Sequence, residues 1–346
     1  MRIVILGGGF CGAIIAKKLD TCRKLEITLI DKKNYFEYTP SIHKVVSCPS
    51  YLDKITVPYS HFLKNVRVII DNVVHVTPTF VETEKKKIGF DYLVVSTGIE
   101  YPIMLENDEN VFVLKNGNEA AEMSTKMSKE DSIIIIGGGL IGVEIAGELI
   151  TKTKNKKINI VHSHKHLLER NPVKASSYAQ KFLEKNGINI IFNEKVIRHE
   201  GQSFLTDKKR WVEAEMGIWC AGIHFNPWFM NGFNDSIFTE KKSLKVNRYL
   251  QLEGYTHIFV GGDINNIQEE KTAQNAERHA SLIVKNIKRL LDKRPLIAYQ
   301  QRKTPLVISL GDHDGIMTFS RFVITRFLPR ILKRLIEWWV LGRLKH

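Results

Sequence analysis

The chain opens Met1-Arg2-Ile3-Val4-Ile5-Leu6-Gly7-Gly8-Gly9-Phe10-Cys11-Gly12-Ala13-Ile14-Ile15-Ala16-Lys17-Lys18-Leu19, and this opening unit closes at Ile27-Thr28-Leu29-Ile30-Asp31. Arg2 to Leu6 is a short apolar run rich in β-branched residues, which predicts a buried strand. Gly7, Gly9 and Gly12 follow at GxGxxG spacing, and Ala13 to Leu19 continue with helical periodicity. Each glycine answers a physical demand. Gly7 permits the tight strand-to-helix turn, Gly9 lets backbone N–H groups approach a pyrophosphate, and Gly12 lets helix pack close on strand. The anion then faces a helix N-terminus. Asp31, 19 residues past Gly12, ends the second strand where a carboxylate accepts from an adenosine ribose hydroxyl. Strand, glycine loop, helix, strand and terminal acid in this order imply a bound dinucleotide.

The pattern then recurs. Ser132-Ile133-Ile134-Ile135-Ile136 leads into Gly137, Gly139 and Gly142, a helix from Val143 to about Thr153, and the strand Ile158-Asn159-Ile160-Val161. Two copies about 130 residues apart imply two nucleotide-binding domains in one chain. Two dinucleotides in one protein suggest electron transfer between them, typically from a nicotinamide to a flavin.

Composition narrows the alternatives. At 346 residues and 43% hydrophobic, the chain can bury cores for two domains. Its net charge of +14 suits nucleic acid, an anionic membrane or an acidic partner, but no zinc-finger or RNP-type signature accompanies it, and nucleic acid is not expected. Cys11, Cys22, Cys48 and Cys220 form no CxxC pair, which argues against a disulfide framework or a dithiol centre and suits a reducing compartment. The first strand starts at once, so no cleaved signal peptide is expected, and no uninterrupted apolar stretch predicts a spanning helix. No metal site is expected.

Further along, residues 41 to 65 read as a mixed helical connection, and Tyr92 to Val95 as an apolar strand before Ser96-Thr97-Gly98. Pro102, Asn107, Asn110, Asn116 and Gly117 mark an inter-domain crossing. A helix from Ala175 to Lys185 stops at Gly187, and the apolar strand pattern returns at Ile258-Phe259-Val260-Gly261-Gly262-Asp263 before a long helix from about Thr272 to Asp292.

These segments, with Asn34-Tyr35, Tyr38, Pro40, Glu144 and Glu148, lie in the order of the two-dinucleotide flavoprotein superfamily. The chain resembles the type II NADH:quinone dehydrogenases within it, and most closely the apoptosis-inducing-factor-like branch that includes the ferroptosis suppressor quinone reductases. Arg294 to Tyr299 and Ser309 to Gly315 carry the likeness to that branch. The resemblance implies an α/β fold of two Rossmann-like domains. An FAD domain (1–108 and 240–310) would be split by an inserted NAD(P)H domain (109–239), with a C-terminal segment (311–346) ending in an amphipathic helix. It also implies FAD, with NADH and/or NADPH, as cofactors, and a quinone as acceptor.

By the same resemblance Gly7, Gly9, Phe10, Cys11 and Gly12 would meet the FAD pyrophosphate, and Asp31, with Lys32 beside it, its ribose. Thr97, Gly98, Gly262 and Asp263 would line the flavin pocket. Gly137, Gly139, Leu140, Ile141 and Gly142 would take the second pyrophosphate, with Gly222, Thr272 and Ala273 completing the cofactor contacts. Glu144 would face nicotinamide and flavin and orient the carboxamide. Ala273-Gln274-Asn275-Ala276-Glu277-Arg278 keeps the first half of the family's AQxAxQ stretch beside the quinone, which makes Gln274 the second candidate catalytic residue. Where Asp31 stands in the first unit, the second has His162, followed by Ser163, His164 and Lys165. No carboxylate is in that position to repel a 2′-phosphate, so the sequence predicts that NADPH is accepted alongside NADH.

The segment 319–346 holds seven Lys/Arg and one Glu, for a net +6. Phe327, Ile331, Leu332, Leu335, Ile336, Trp338, Trp339 and Leu344 recur at helical spacing, with Arg326, Arg330, Lys333, Arg334 and Glu337 on the other side, and Pro329 suits a first turn. A basic amphipathic helix with tryptophans predicts an in-plane anchor at an anionic membrane surface, placing the protein peripherally on a cytoplasmic face. A homodimer is compatible with this sequence. Two other readings compete: a soluble reductase of a small electron-carrier protein docking on the basic surface, and a redox-sensing flavoprotein that binds nucleic acid. Sulfide:quinone oxidoreduction would need a cysteine pair by the flavin, and Cys48 lacks an evident partner.

Overall fold

In the computed structural model, residues 1–105, 109–152 and 156–345 are described, so Asn107, Thr153 and His346 of the readings above lie outside them. Two parallel sheets of five strands organise the molecule, and each is built around one of the two glycine-loop strands. In the first sheet the order is Ile258–Val260, Tyr92–Val95, Arg2–Leu6, Glu26–Asp31 and Arg67–Ile70. In the second it is Val111–Val113, Met216–Trp219, Ser132–Ile136, Lys157–His162 and Asn189–Phe192. Registers correspond as well: Leu6 pairs with Ile30 and Val95, and Ile136 with Val161 and Trp219. Covered on both faces, these strands are continuous apolar runs rather than alternating ones. Ile3, Ile5 and Leu6 are fully buried, as are Ile133, Ile134 and Ile135, and each such side chain contributes about 1.5–3 kcal/mol of burial.

The copy extends to small details. Helix Phe10–Leu19 follows the first loop and helix Leu140–Lys152 the second. Each unit also carries a three-stranded antiparallel sheet, Val73–Val76 with Phe80–Thr83 and Lys87–Gly89 in one, and Val196–Glu200 with Ser203–Thr206 and Trp211–Glu213 in the other. The long helix Ala273–Leu291 packs on Phe10–Leu19 and returns the chain to the first sheet.

The segment read as one helical tail divides in two. Strands Leu306–Leu310, Asp314–Phe319 and Phe322–Thr325 form an antiparallel sheet, and the helix begins only at Phe327 and runs to Lys345. Gly147 lets this sheet meet the second loop's helix: a Cβ there would lie 2.7 Å from the Leu310 Cα and the Gly311 nitrogen.

Candidate active site

The two glycine loops are near-superimposable in their contacts. Gly7 and Gly137 have φ of +86° and +114°, open to glycine. A Cβ on Gly12 would sit 1.9 Å from the Gly7 carbonyl oxygen, and one on Gly142 2.0 Å from that of Gly137. Helix and strand approach too closely for any side chain. By contrast, a Cβ on Gly9 or Gly139 would meet nothing within 4 Å, and the same holds for Gly98 and Gly222 beyond the neighbouring strands. Backbone therefore fronts open space at the helix N-termini, as a pyrophosphate requires. Leu140 and Ile141 open the second helix, and Phe10 opens the first, edge-on to Phe36 at 5.1 Å.

Asp31 reaches under the first loop. One carboxylate oxygen accepts from the Gly8 N–H and the other from the Lys33 N–H at 2.7 Å, while the Tyr59 hydroxyl donates to the Gly8 carbonyl at 3.0 Å. Lys32 follows in the same turn. In the second loop His162 takes the same place with a ring: Nδ1 accepts from the Gly138 N–H at 3.1 Å. Leu168, in the loop that follows, donates its N–H to the Gly138 carbonyl at 2.9 Å. That bond folds residues 163–171 back over the glycines and delivers Glu169, whose Oε2 lies 3.4 Å from His162 Nε2. A carboxylate thus stands beside the second loop after all. Sequence reading missed it because it arrives seven residues late, on a loop without periodicity. Burial lowers the His162 pKa below the ordinary histidine value, against an opposing pull from Glu169.

Near the returning strand, Gly262 (φ +75°) donates its N–H to His279 Nδ1 at 3.1 Å, and His279 Nε2 lies 2.8 Å from Glu269, which also accepts from the Tyr299 hydroxyl at 3.0 Å. This chain of contacts fixes the turn that carries Asp263. Burial raises the Asp263 pKa, opposed by Lys271 and His279. Lys271 donates to the Asn265 carbonyl at 2.8 Å, and burial lowers its pKa. Thr272 caps the helix Ala273–Leu291, its side chain accepting from the Asn275 N–H. Gln274 borders a surface groove of about 580 Å³ shared with Arg278 and Tyr299, and its Oε1 is buried without a hydrogen-bond partner. Cys11 is buried and Cys220 half-buried, and desolvation raises both thiol pKa values, that of Cys220 to about 12, which disfavours the thiolate in each.

Glu144, which the resemblance would set facing nicotinamide and flavin, is engaged within the protein. One oxygen accepts from the Ser309 N–H at 3.0 Å and from the Lys333 ammonium, and the other lies 3.6 Å from His43 Nδ1. His43 is 2% exposed, and its Nε2 is 3.8 Å from Glu148, which accepts from the Ser47 hydroxyl at 3.1 Å. Burial, then Lys333 and Lys44, drives the His43 pKa well below the ordinary value, and burial raises that of Glu148.

Lys333 comes from the last helix, whose exposed side is mostly apolar and whose Lys333 and Glu337 lie on the side packed against the protein. Glu337 accepts from Ser41, Tyr51 and, at 2.9 Å, Lys44. Phe327, Leu328, Ile331, Leu335, Trp338 and Trp339 face outward, Trp338 at 74% exposure, and Phe319, Phe322 and Ile324 of the adjoining hairpin are exposed with them. Among the described residues no helix is long and apolar enough to cross a membrane.

The sequence profile of the family described as pyridine nucleotide-disulphide oxidoreductase matches residues 1–280. The chain is 31% identical to apoptosis-inducing factor homolog A of Dictyostelium discoideum over 96% of its own length and 88% of that protein's. It is 27% identical to ferroptosis suppressor protein 1 of Mus musculus, covering 96% and 92% of the two chains. Identity to the type II NADH:quinone oxidoreductase of Staphylococcus aureus is 25%, over 92% and 90%. The fold is that of NDH2 from Plasmodium falciparum, solved in complex with NADH, with a TM-score of 0.87 at 16% identity over 98% and 94% of the chains.

Proposed function

The chain belongs to the pyridine nucleotide-disulphide oxidoreductase family, and from that premise we propose that it is a peripheral membrane NAD(P)H:quinone oxidoreductase. FAD would lie along the first loop and the pyridine nucleotide along the second, in domains divided as 1–108 with 240–310 and 109–239. Bound there, the flavin supplies hydride acceptance from nicotinamide and electron delivery to a quinone. The protein's part is to hold, orient and exclude water. Gly7, Gly9 and Gly12 present backbone to one pyrophosphate, and Gly137, Gly139 and Gly142 to the other. Asp31 keeps lone pairs for a ribose hydroxyl. Thr97, Gly98, Gly262 and Asp263 border the flavin, with Gln274 at the mouth of the groove.

The observation that carries the reading is the pairing of two open glycine loops with an outward apolar face in one chain. Glu144 acts in it as a positioning residue, tying the second loop's helix to Lys333. The face of Phe327, Ile331, Leu335, Trp338 and Trp339 suits the headgroup–acyl boundary, with Arg321, Arg326 and Arg334 exposed near it for anionic lipid. A membrane-dissolved quinone is then delivered where the enzyme rests.

The test is anaerobic. NADH should bleach the absorbance of the FAD-loaded protein, and a short-chain quinone should restore it. In parallel, Leu335→Glu with Trp338→Glu should abolish co-sedimentation with anionic liposomes while sparing reduction of the short-chain quinone. Flavin that stays oxidised under NADH would end the proposal; unchanged sedimentation would remove its membrane half.

A further inference from the structure

Where the last helix meets the rest of the protein, four cationic side chains converge on one cleft. Lys44, Arg330, Lys333 and Arg334 line it together with Asp312. The cleft measures about 220 Å³ with its open mouth and narrows to about 10 Å³, room for one water-sized atom. Three of the cations have a carboxylate each. Lys44 lies 2.9 Å from Glu337, Lys333 binds Glu144, and Arg334 is 3.2 Å from Asp312. Arg330 is the fourth. Its Nε is shielded from solvent without a hydrogen-bond partner, and among the described residues no carboxylate pairs with its guanidinium. The neighbouring hairpin fixes where Arg330 stands, since a Cβ on Gly315 would lie 3.2 Å from the Arg330 nitrogen.

A water can accept from that Nε but brings no charge. A partly shielded guanidinium without a counter-charge is costly, and an oxyanion relieves it. Phosphate suits it best, because it offers only acceptors and the guanidinium fork matches its oxygens. The place of the cleft names the source. Arg330 stands three residues after Phe327, and Arg334 three after Ile331 and four before Trp338, so both adjoin the outward apolar face on the helix surface. We propose that the cleft binds the phosphate of one anionic phospholipid, at the depth where headgroups meet that face. This rests on the reading that the last helix lies at a membrane.

The acids nearby do not forbid an anion. Glu337 is held by Ser41, Tyr51 and Lys44, Glu144 by Lys333 and the Ser309 N–H, and Asp312 by Arg334. The incoming phosphate meets each of them already paired, and Arg330 supplies the charge left over. Diffuse attraction to exposed arginines needs no cleft; the cleft adds a site for a single lipid.

The experiment is flotation of the FAD-loaded protein with vesicles of phosphatidylcholine, with and without phosphatidylglycerol. Arg330→Gln should weaken partition into the phosphatidylglycerol vesicles by at least about tenfold, as the loss of a charge-assisted hydrogen bond does. Arg321→Gln removes an exposed charge from the neighbouring hairpin and should cost no more than about fivefold. Arg330→Lys keeps the charge without the fork and should recover only part of the loss. Inorganic phosphate at constant ionic strength should displace the wild type further than chloride does, and lose that advantage in Arg330→Gln. Retained FAD and NADH bleaching in every variant separate the site from the fold. Equal weakening by Arg330→Gln and Arg321→Gln overturns the proposal in favour of diffuse charge. Inorganic phosphate that binds the vesicle-free holoenzyme through Arg330, while Arg330→Gln partitions as the wild type does, assigns the cleft to a soluble phosphate and overturns the lipid assignment. Short duplex DNA that strips the wild type from vesicles but not Arg330→Gln overturns it in favour of a nucleic acid. If the wild type ignores both vesicles, the membrane reading fails first and takes the lipid assignment with it.

Discussion

Of the two glycine loops, one is closed by an aspartate and the other by a histidine, on backbones that otherwise match contact for contact. In the first, Asp31 meets the loop N–H directly and the Tyr59 hydroxyl holds the Gly8 carbonyl. In the second, His162 meets the equivalent N–H, the Leu168 backbone holds the Gly138 carbonyl, and the charge is supplied by Glu169. On the proposed reading, the backbone scaffold would set where a dinucleotide lies, and the residue ending the second strand what the loop offers to its ribose. Separating those two jobs lets one architecture serve two cofactors in a single chain.

The shared part of the comparison should break hardest. Gly12→Ala and Gly142→Ala each drive a Cβ to about 2 Å from a carbonyl oxygen, a clash no side-chain rotation relieves. Gly12→Ala should yield colourless protein, and Gly142→Ala yellow protein that NADH no longer bleaches, read as flavin absorbance after gel filtration. Flavin lost equally in both would show that the loops are not independent.

Next comes the acid under the first loop. Asp31→Ala removes an acceptor shared by two N–H groups, each charge-assisted bond worth about 1.5–3 kcal/mol. The FAD dissociation constant, measured by fluorescence recovery on dilution, should rise by about a hundredfold. His162→Ala should leave that constant within about twofold, since it lies under the other loop.

A smaller effect sharpens the contrast. His162→Asp writes the first loop's acid into the second, and the Gly138 N–H keeps an acceptor. Preference for NAD⁺ over NADP⁺, measured calorimetrically on the holoenzyme, should be kept or increased by a few-fold. The smallest effect is in pH. Protonating His162 places Nδ1–H against the Gly138 N–H, two donors face to face. Because burial lowers this pKa, NAD⁺ affinity should hold from about pH 8 to the ordinary histidine value and fall only below it. His164 and His166 also face this ring, and Glu169 opposes its loss of charge. In His162→Asp the acid limb should vanish.

What was legible in the sequence follows from local rules. The strand, glycine spacing and acid of residues 1–31 are a contiguous pattern, so Gly12 and Asp31 could be placed without tertiary knowledge. The second unit was legible for the same reason as far as His162. Glu169 was not, because a loop bond from Leu168 to Gly138 decides where it lands. The last helix shows the other failure. A helical wheel sends Lys333 and Glu337 to water by convention, whereas Glu144 and Lys44, distant in sequence, line the surface the helix lies on. A buried lysine is explicable only when its counter-charge is seen.

The tie between Lys333 and Glu144 has an energetic corollary. Glu144 stands one turn from Leu140, at the N-terminal end of the helix that opens from Gly139, while Lys333 lies on the opposite side of the last helix from its exposed apolar face. On the proposed membrane reading, adsorption at one end and ligation at the other would load a single strut. Coupling between two such events is reciprocal: whatever factor vesicles impose on pyridine-nucleotide affinity, the nucleotide returns, undiminished, to the partition of the protein between water and bilayer.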